Sequence, residues 1–185
     1  MPLRYFYLVL ACTLYGASPG PRFTASGELV RPEDYREWIF LSSGLGMTYG
    51  PNAAEGEPRF DNVLVNPEAY RAFLASGRWP DGTMFALEVR HSASEGSINR
   101  GGHFQTELAA VEFEVKDEGR FPGKWAYFGF RNESGTLAKT ARPLPATSGC
   151  MACHSANGAV ENTFVQFYPT LIEVARQKGT LKRGL

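Results

Sequence analysis

The chain carries no net charge. Lys plus Arg and Asp plus Glu both number 19, and the two signs are interspersed along the 185 residues. A surface for polyanions needs a basic excess, so nucleic-acid binding is a poor first reading, and acidic-tail and polybasic readings fail with it. No apolar run reaches the roughly 20 residues that span a bilayer as a helix, and no internal repeat is visible. Apolar residues at 43% and charged residues at 21% exclude a disordered tail protein. The 20 Gly and 12 Pro point to a loop-rich globular fold rather than a collagen-like chain, and the length suits one domain. Only three Cys and three His are present, so the spacing of these few residues decides any metal or redox chemistry.

The first residues have the form of an export signal. Arg4 is followed by the apolar run Tyr5 to Tyr15 and then by small residues, Gly16-Ala17-Ser18-Pro19-Gly20. We read residues 1–18 as a signal peptide and 24–185 as a single cofactor-binding domain. A buried N-terminal strand is the bland alternative. Val9-Leu10-Ala11-Cys12 is faintly like a lipoprotein box, which would make Cys12 a lipidated terminus in an otherwise periplasmic protein.

The other two cysteines stand in Cys150-Met151-Ala152-Cys153-His154. This is C-x-x-C-H, the attachment motif for c-type haem. Two thiols at this spacing add across the two vinyl groups of the porphyrin, and the adjacent His is the proximal iron ligand. Given three Cys and three His, a chance match arises about once in a thousand such chains. Zinc would want a fourth ligand, and neither His91 nor His103 lies in a paired spacing. A thioredoxin-like redox pair would sit early in a βαβ unit, whereas this motif lies near the C-terminus. A structural disulfide is the third alternative. The reading is one covalent haem c, with His154 as the iron ligand.

The remaining pattern predicts an α+β fold, mainly an antiparallel β-sheet with short flanking helices and a C-terminal haem-binding segment. Arg31 to Trp38 has the Pro and acids of a first helical turn. Strands are expected at Phe40 to Tyr49, Phe60 to Val65, Met84 to Arg90, Glu107 to Lys116 and Trp125 to Phe130. Within Glu107 to Lys116, Ala109, Val111, Phe113 and Val115 fall on one face and Glu112 and Glu114 on the other. Asn66-Pro67-Glu68 caps a helix running to Ser76 and stopped by Gly77. Ser92 to Gly102 reads as a polar loop, and Asn162 to Gln177 as a helix broken by Pro169.

The chain resembles the cytochrome P-460 family, which includes the cytochromes c′-beta. The matching stretches are Leu29 to Trp38 (LVRPEDYREW), Val65 to Tyr70 (VNPEAY), Pro80 to Thr83 (PDGT), Val115 to Asp117, Trp125 to Tyr127 and Cys150 to His154, with Phe167-Tyr168-Pro169 following. They run in the family's order from about residue 28 to about 178. The resemblance implies a mainly antiparallel β domain with flanking helices, one haem c per chain, an open or weakly held distal position and a homodimer. Its hydroxylamine-oxidising members carry a Lys cross-linked to the haem, in the strand after the Asp-Gly-Thr turn. That position falls here on Leu87, and no Lys lies between Gly82 and Val115. Glu112 matches the family's distal carboxylate, a candidate proton acceptor, with Glu88 a second candidate; a solvated strand face is the plain alternative for Glu112 and Glu114. As in the cytochromes c′-beta, Phe60, Phe85 and Leu87 are expected to form an apolar distal pocket for neutral diatomics such as nitric oxide. A plain electron carrier, serving an unknown redox partner, would close the iron instead with Met47, Met84, His91 or His103.

Overall fold

The computed structural model describes residues 20–49, 56–131 and 135–184. The expected signal segment and Cys12 lie outside these residues. The architecture is α+β, as expected. Two short strands, β1 (Leu29–Val30) and β7 (Thr140–Ala141), pair antiparallel. The main sheet has five antiparallel strands in plain sequence order: β2 (Ile39–Leu45), β3 (Phe60–Val65), β4 (Met84–Ala93), β5 (Phe104–Lys116) and β6 (Trp125–Gly129). The helices are α1 (Pro67–Ser76), α2 (Cys150–Asn157) and α3 (Ile172–Gln177).

Alternation along the strands gives the sheet two buried faces. On one, Met84 and Ala86 of β4, Val111, Phe113 and Val115 of β5 and Phe128 of β6 pack with Leu29, Tyr35 and Phe130. On the other, Val65, Phe85 and Trp125 pack with Phe73 of α1, Trp79, and Val160, Tyr168 and Leu171 from the chain after α2. Glu112, Glu114 and Lys116 belong to this second face by their register on β5.

Several elements differ from the sequence reading. The β4–β5 hairpin is longer than expected and bends at register shifts near Arg90, so the polar loop shrinks to its tip. The helical turn before Trp38 is a single 3-10 turn, Tyr35–Glu37. Asn66 stands at the start of α1, but its Oδ1 accepts from the Met84 amide at 2.9 Å instead of capping the helix. Gly77 ends α1 with φ +70° and its amide on the Phe73 carbonyl at 2.7 Å. The expected helix from Asn162 is a 3-10 turn, Val165–Phe167, followed by α3; Pro169 has no amide to carry one helix through.

On the first face Glu88 is buried and triply bonded. It accepts from the Tyr35 hydroxyl, from Arg36 Nε at 2.7 Å and from Arg90 Nε at 2.5 Å. Burial opposes its charge, but the bonds from Tyr35, Arg90 and Arg36 outweigh burial and hold its carboxyl below the usual range. Burial, together with the same contact, pushes the Tyr35 hydroxyl up to about 12. A depressed carboxyl stabilises the fold fully above its unfolded pKa, and that stability disappears as pH falls through the folded value. Glu88→Gln is therefore expected to cost about 1–3 kcal/mol at neutral pH. In urea unfolding at pH 7 and pH 3, the variant should lose less on acidification than the parent; equal acid loss would show that Glu88 does not drive it.

Candidate functional site

The C-x-x-C-H spacing sets its own local geometry. Cys150, Cys153 and His154 stand at i, i+3 and i+4 of α2, which places them on one helical face. The sequence reading places no helix here. Gly149 opens α2 with φ +82°, a left-handed conformation that suits glycine. Gly158 closes it where the chain doubles back: a Cβ there would lie 2.7 Å from the His154 carbonyl oxygen and from backbone atoms of Asn162 and Thr163. The return of residues 158–163 across the end of α2 thus requires glycine.

That return positions the histidine. His154 Nδ1 lies 2.8 Å from the Asn162 carbonyl oxygen and 3.5 Å from Glu114 Oε1. The ring is clamped by Tyr127, with centroids 4.6 Å apart, and by Phe164 at 4.4 Å. Glu114 also accepts from the Tyr127 hydroxyl at 3.0 Å. Burial disfavours the charged imidazole, but Glu114 and the Asn162 carbonyl outweigh it and raise its pKa. Burial raises the Glu114 carboxyl, against the pull of His154 and Tyr127. The Tyr127 hydroxyl is raised by burial and by Glu114. Nδ1 is thus committed to the protein, which leaves Nε2 as the nitrogen free to ligate a metal.

Beside His154 lies a cavity of about 280 Å³ between the sheet and α2. Both thiols and His154 line it. Cys150 and Cys153 are half-buried and unpaired. Phe85, Leu87 and Tyr168 supply apolar wall. The donor set fits haem c: two free thiols at the attachment spacing, a histidine with one nitrogen tied back, and an aromatic slot that all three face. The disulfide reading finds no bond here, and zinc finds no support, since among the described residues no group of three or more His, Cys, Asp or Glu is placed to hold a metal ion.

The expected distal residues separate. Phe85, Leu87 and Glu112 line the cavity. Phe60 does not: Asp61 and Val63 line it from β3, and alternation turns Phe60 to the opposite face. Glu88 is likewise on the far face, bound to Tyr35 and the two arginines. Of the four side chains that could close the iron, Met47 lines the cavity. Met84 is in the far-face core, and His103 lies 3.3 Å from Glu57 at Nδ1; neither these two nor His91 reaches the cavity wall. Glu112 stands open to the cavity opposite Leu87 in the β4–β5 register. Its carboxyl is raised by the surrounding wall and by Asp61, with His154 opposing. Asp61 itself is raised by burial, with Arg59 opposing.

Sequence reasoning missed Asp61, Tyr127 and Phe164 as site residues. An Asp beside an Asn at a strand start reads as solvent-facing, and only the pairing of β3 with β4 turns it inward. Lys116 was missed too. It is buried, with Nζ donating to the Trp79 carbonyl at 2.7 Å and to Glu161 Oε2 at 2.9 Å. It anchors the segment that supplies the Asn162 carbonyl, where Glu161 holds φ +53°.

The family model for cytochrome P460 matches residues 32–165. The chain belongs to the cytochrome P460 family. Members of that family bind haem c covalently and are generally exported, and Cys150, Cys153 and His154 are the residues of this chain that fit the cofactor. A search of curated proteins found no match. No helix among the described residues is long and apolar enough to cross a membrane.

Proposed function

We propose that this cytochrome P460 relative is a periplasmic, homodimeric monohaem protein whose iron keeps an open position for small neutral diatomics, nitric oxide above all, and exchanges single electrons. Haem supplies a redox-active iron able to take such a ligand. Cys150 and Cys153 would carry the group, and His154 would ligate through Nε2. Glu114, the Asn162 carbonyl and the rings of Tyr127 and Phe164 hold the imidazole in orientation. Val63 and Leu87 add apolar wall to the side of the cavity away from His154.

The observation that carries this reading is Leu87. It occupies the cavity wall opposite Glu112, where the resemblance places the cross-linking Lys, and no Lys or Arg lines the cavity among the described residues. A second reading, oxidation of hydroxylamine or nitric oxide, is favoured by Glu112, whose raised carboxyl faces the cavity as a proton acceptor; the absent Lys counts against it. The test is the optical spectrum of haem-loaded protein, ferric and ferrous, with and without nitric oxide. The expected result is an ordinary five-coordinate ferrous Soret band that shifts with nitric oxide. A sharp low-spin spectrum indifferent to nitric oxide would overturn the open site in favour of closure by Met47. A strongly red-shifted ferrous band, or turnover of hydroxylamine, would restore the enzyme.

A further inference from the structure

The cavity has two unlike ends. His154 stands against β5 and β6 through Glu114 and Tyr127. The opposite end is formed by β2 and β3, where Asp61 and Val63 face inward. Adjacent strands lie about 4.8 Å apart, so β3 is about 10 Å across the sheet from β5. A ligand arriving on the side away from His154 therefore meets the Asp61 end. Asp61 is half-buried and makes no hydrogen bond or ion pair among the described residues. Arg59, just before β3, eases its charge but does not line the cavity. Glu112 approaches the same space from β5, diagonally across β4: Asp61 pairs with Val89, and Glu112 with Leu87.

The electrostatic consequence is one-sided. The wall carries carboxylates from β3 and β5 and no Lys or Arg among the described residues. Among the described residues the one basic group on the wall is His154, whose ring is already held by Glu114 and Asn162. In a narrow space of low polarity, a fixed negative charge is poorly screened and opposes a second anion strongly. A neutral diatomic meets no such penalty, and a protonated amine would gain. An apolar lining alone would reject charge of either sign through desolvation; Asp61 makes the rejection specific for anions.

We propose that Asp61 is a specificity-determining residue of the cavity, which admits neutral or cationic small ligands and excludes anions. The inference rests on the haem reading of the site. It assigns Asp61 a role apart from Glu112: selection at entry rather than proton transfer. It also accounts for a carboxyl left without a hydrogen-bond partner among the described residues at the β3 end of the cavity.

The experiment compares haem-loaded parent, Asp61→Asn and Asp61→Ser at pH 8, titrating azide and thiocyanate as anions and nitric oxide as the neutral ligand, each followed optically on the ferric protein. Both variants are expected to bind the two anions on the order of tenfold more tightly, as for one unit charge removed from a partly screened cavity, with nitric oxide changed less than about twofold. Anion affinities unchanged in both variants, or shifts shared equally by anions and nitric oxide, would overturn the role of Asp61. Asp61→Ser covers the case in which the amide introduced by Asp61→Asn itself donates to an anion, because the serine side chain is shorter. Haem staining of the denatured chains is read in parallel: parent protein without covalent haem would remove the reading beneath the inference, whereas haem-bearing variants with parent-like selectivity would remove the inference alone.

Discussion

A chain with Cys150→Ser and Cys153→Ser together is expected to hold no haem after denaturing electrophoresis, while the parent stains fully. The two thiols are the residues able to form thioethers in the cavity, on one face of α2 and beside His154. Each single replacement should leave one thioether, so that haem stays with the chain but its pyridine adduct absorbs at longer wavelength, as an unsaturated vinyl group is restored. His154→Ala should keep both covalent bonds and change the iron's spectrum instead. Covalent haem persisting in the double variant would mean that attachment uses residues other than these. The size of the expected effect, from full occupancy to none, reflects a covalent link with no second pair of thiols among the described residues to replace it.

Trp79→Ala is expected to be the most damaging single core substitution, costing about 3–5 kcal/mol and lowering Tm on the order of 10 °C. Trp79 is 2% exposed. Its ring lies 4.1 Å from that of Phe73 on α1 and 4.8 Å from that of Phe85 on β4, centroid to centroid. Its Nε1 donates to Thr163 Oγ1 at 2.8 Å, and that hydroxyl donates to the Val160 carbonyl at 2.8 Å. One side chain thus joins α1, the sheet and the return segment that orients His154. Trp79→Phe would keep an aromatic body and lose the donor to Thr163, and is expected to cost less than the Ala variant. Thermal unfolding of the three proteins checks this; an Ala variant within about 1 kcal/mol of the parent would show that the cluster repacks.

What could be read from the chain beforehand was local. Cys150-Met-Ala-Cys-His154 announces its chemistry because covalent attachment fixes spacing within five residues. The alternation on β5 placed Val111, Phe113 and Val115 against Glu112 and Glu114, since period 2 is a property of the strand itself. The errors came where one residue of register or one tertiary neighbour decides. Phe60 and Asp61 exchange faces with a single step along β3, so Phe60, expected in the apolar pocket by likeness to the cytochromes c′-beta, turns away and Asp61 takes the wall. Glu114 read as a match for a solvated face, yet α2 covers it and brings His154 to it. Glu88 carries the same type of side chain as Glu112, and only the arrival of Tyr35 and Arg36 from the turn before β2 shows that it is structural. The helix α2 itself was hidden, because a glycine on each side and a Met-Ala pair inside give little periodic signal.

The two buried faces of the sheet are closed in different ways. The face built on Val111, Phe113 and Phe128 is closed by the chain's own residues, from Leu29 to Ala141. The helix α2 buries no residue fully; it touches β6 and the 3-10 turn at 146–148, and its His154 meets Glu114, Asn162 and Phe164. The first face is therefore an apolar core that needs no prosthetic group to complete it. On the second face the segment from Gly158 to Leu171 brings Val160, Val165, Tyr168 and Leu171 into the core and the Asn162 carbonyl to the imidazole, so packing of that side and orientation of His154 are one and the same event.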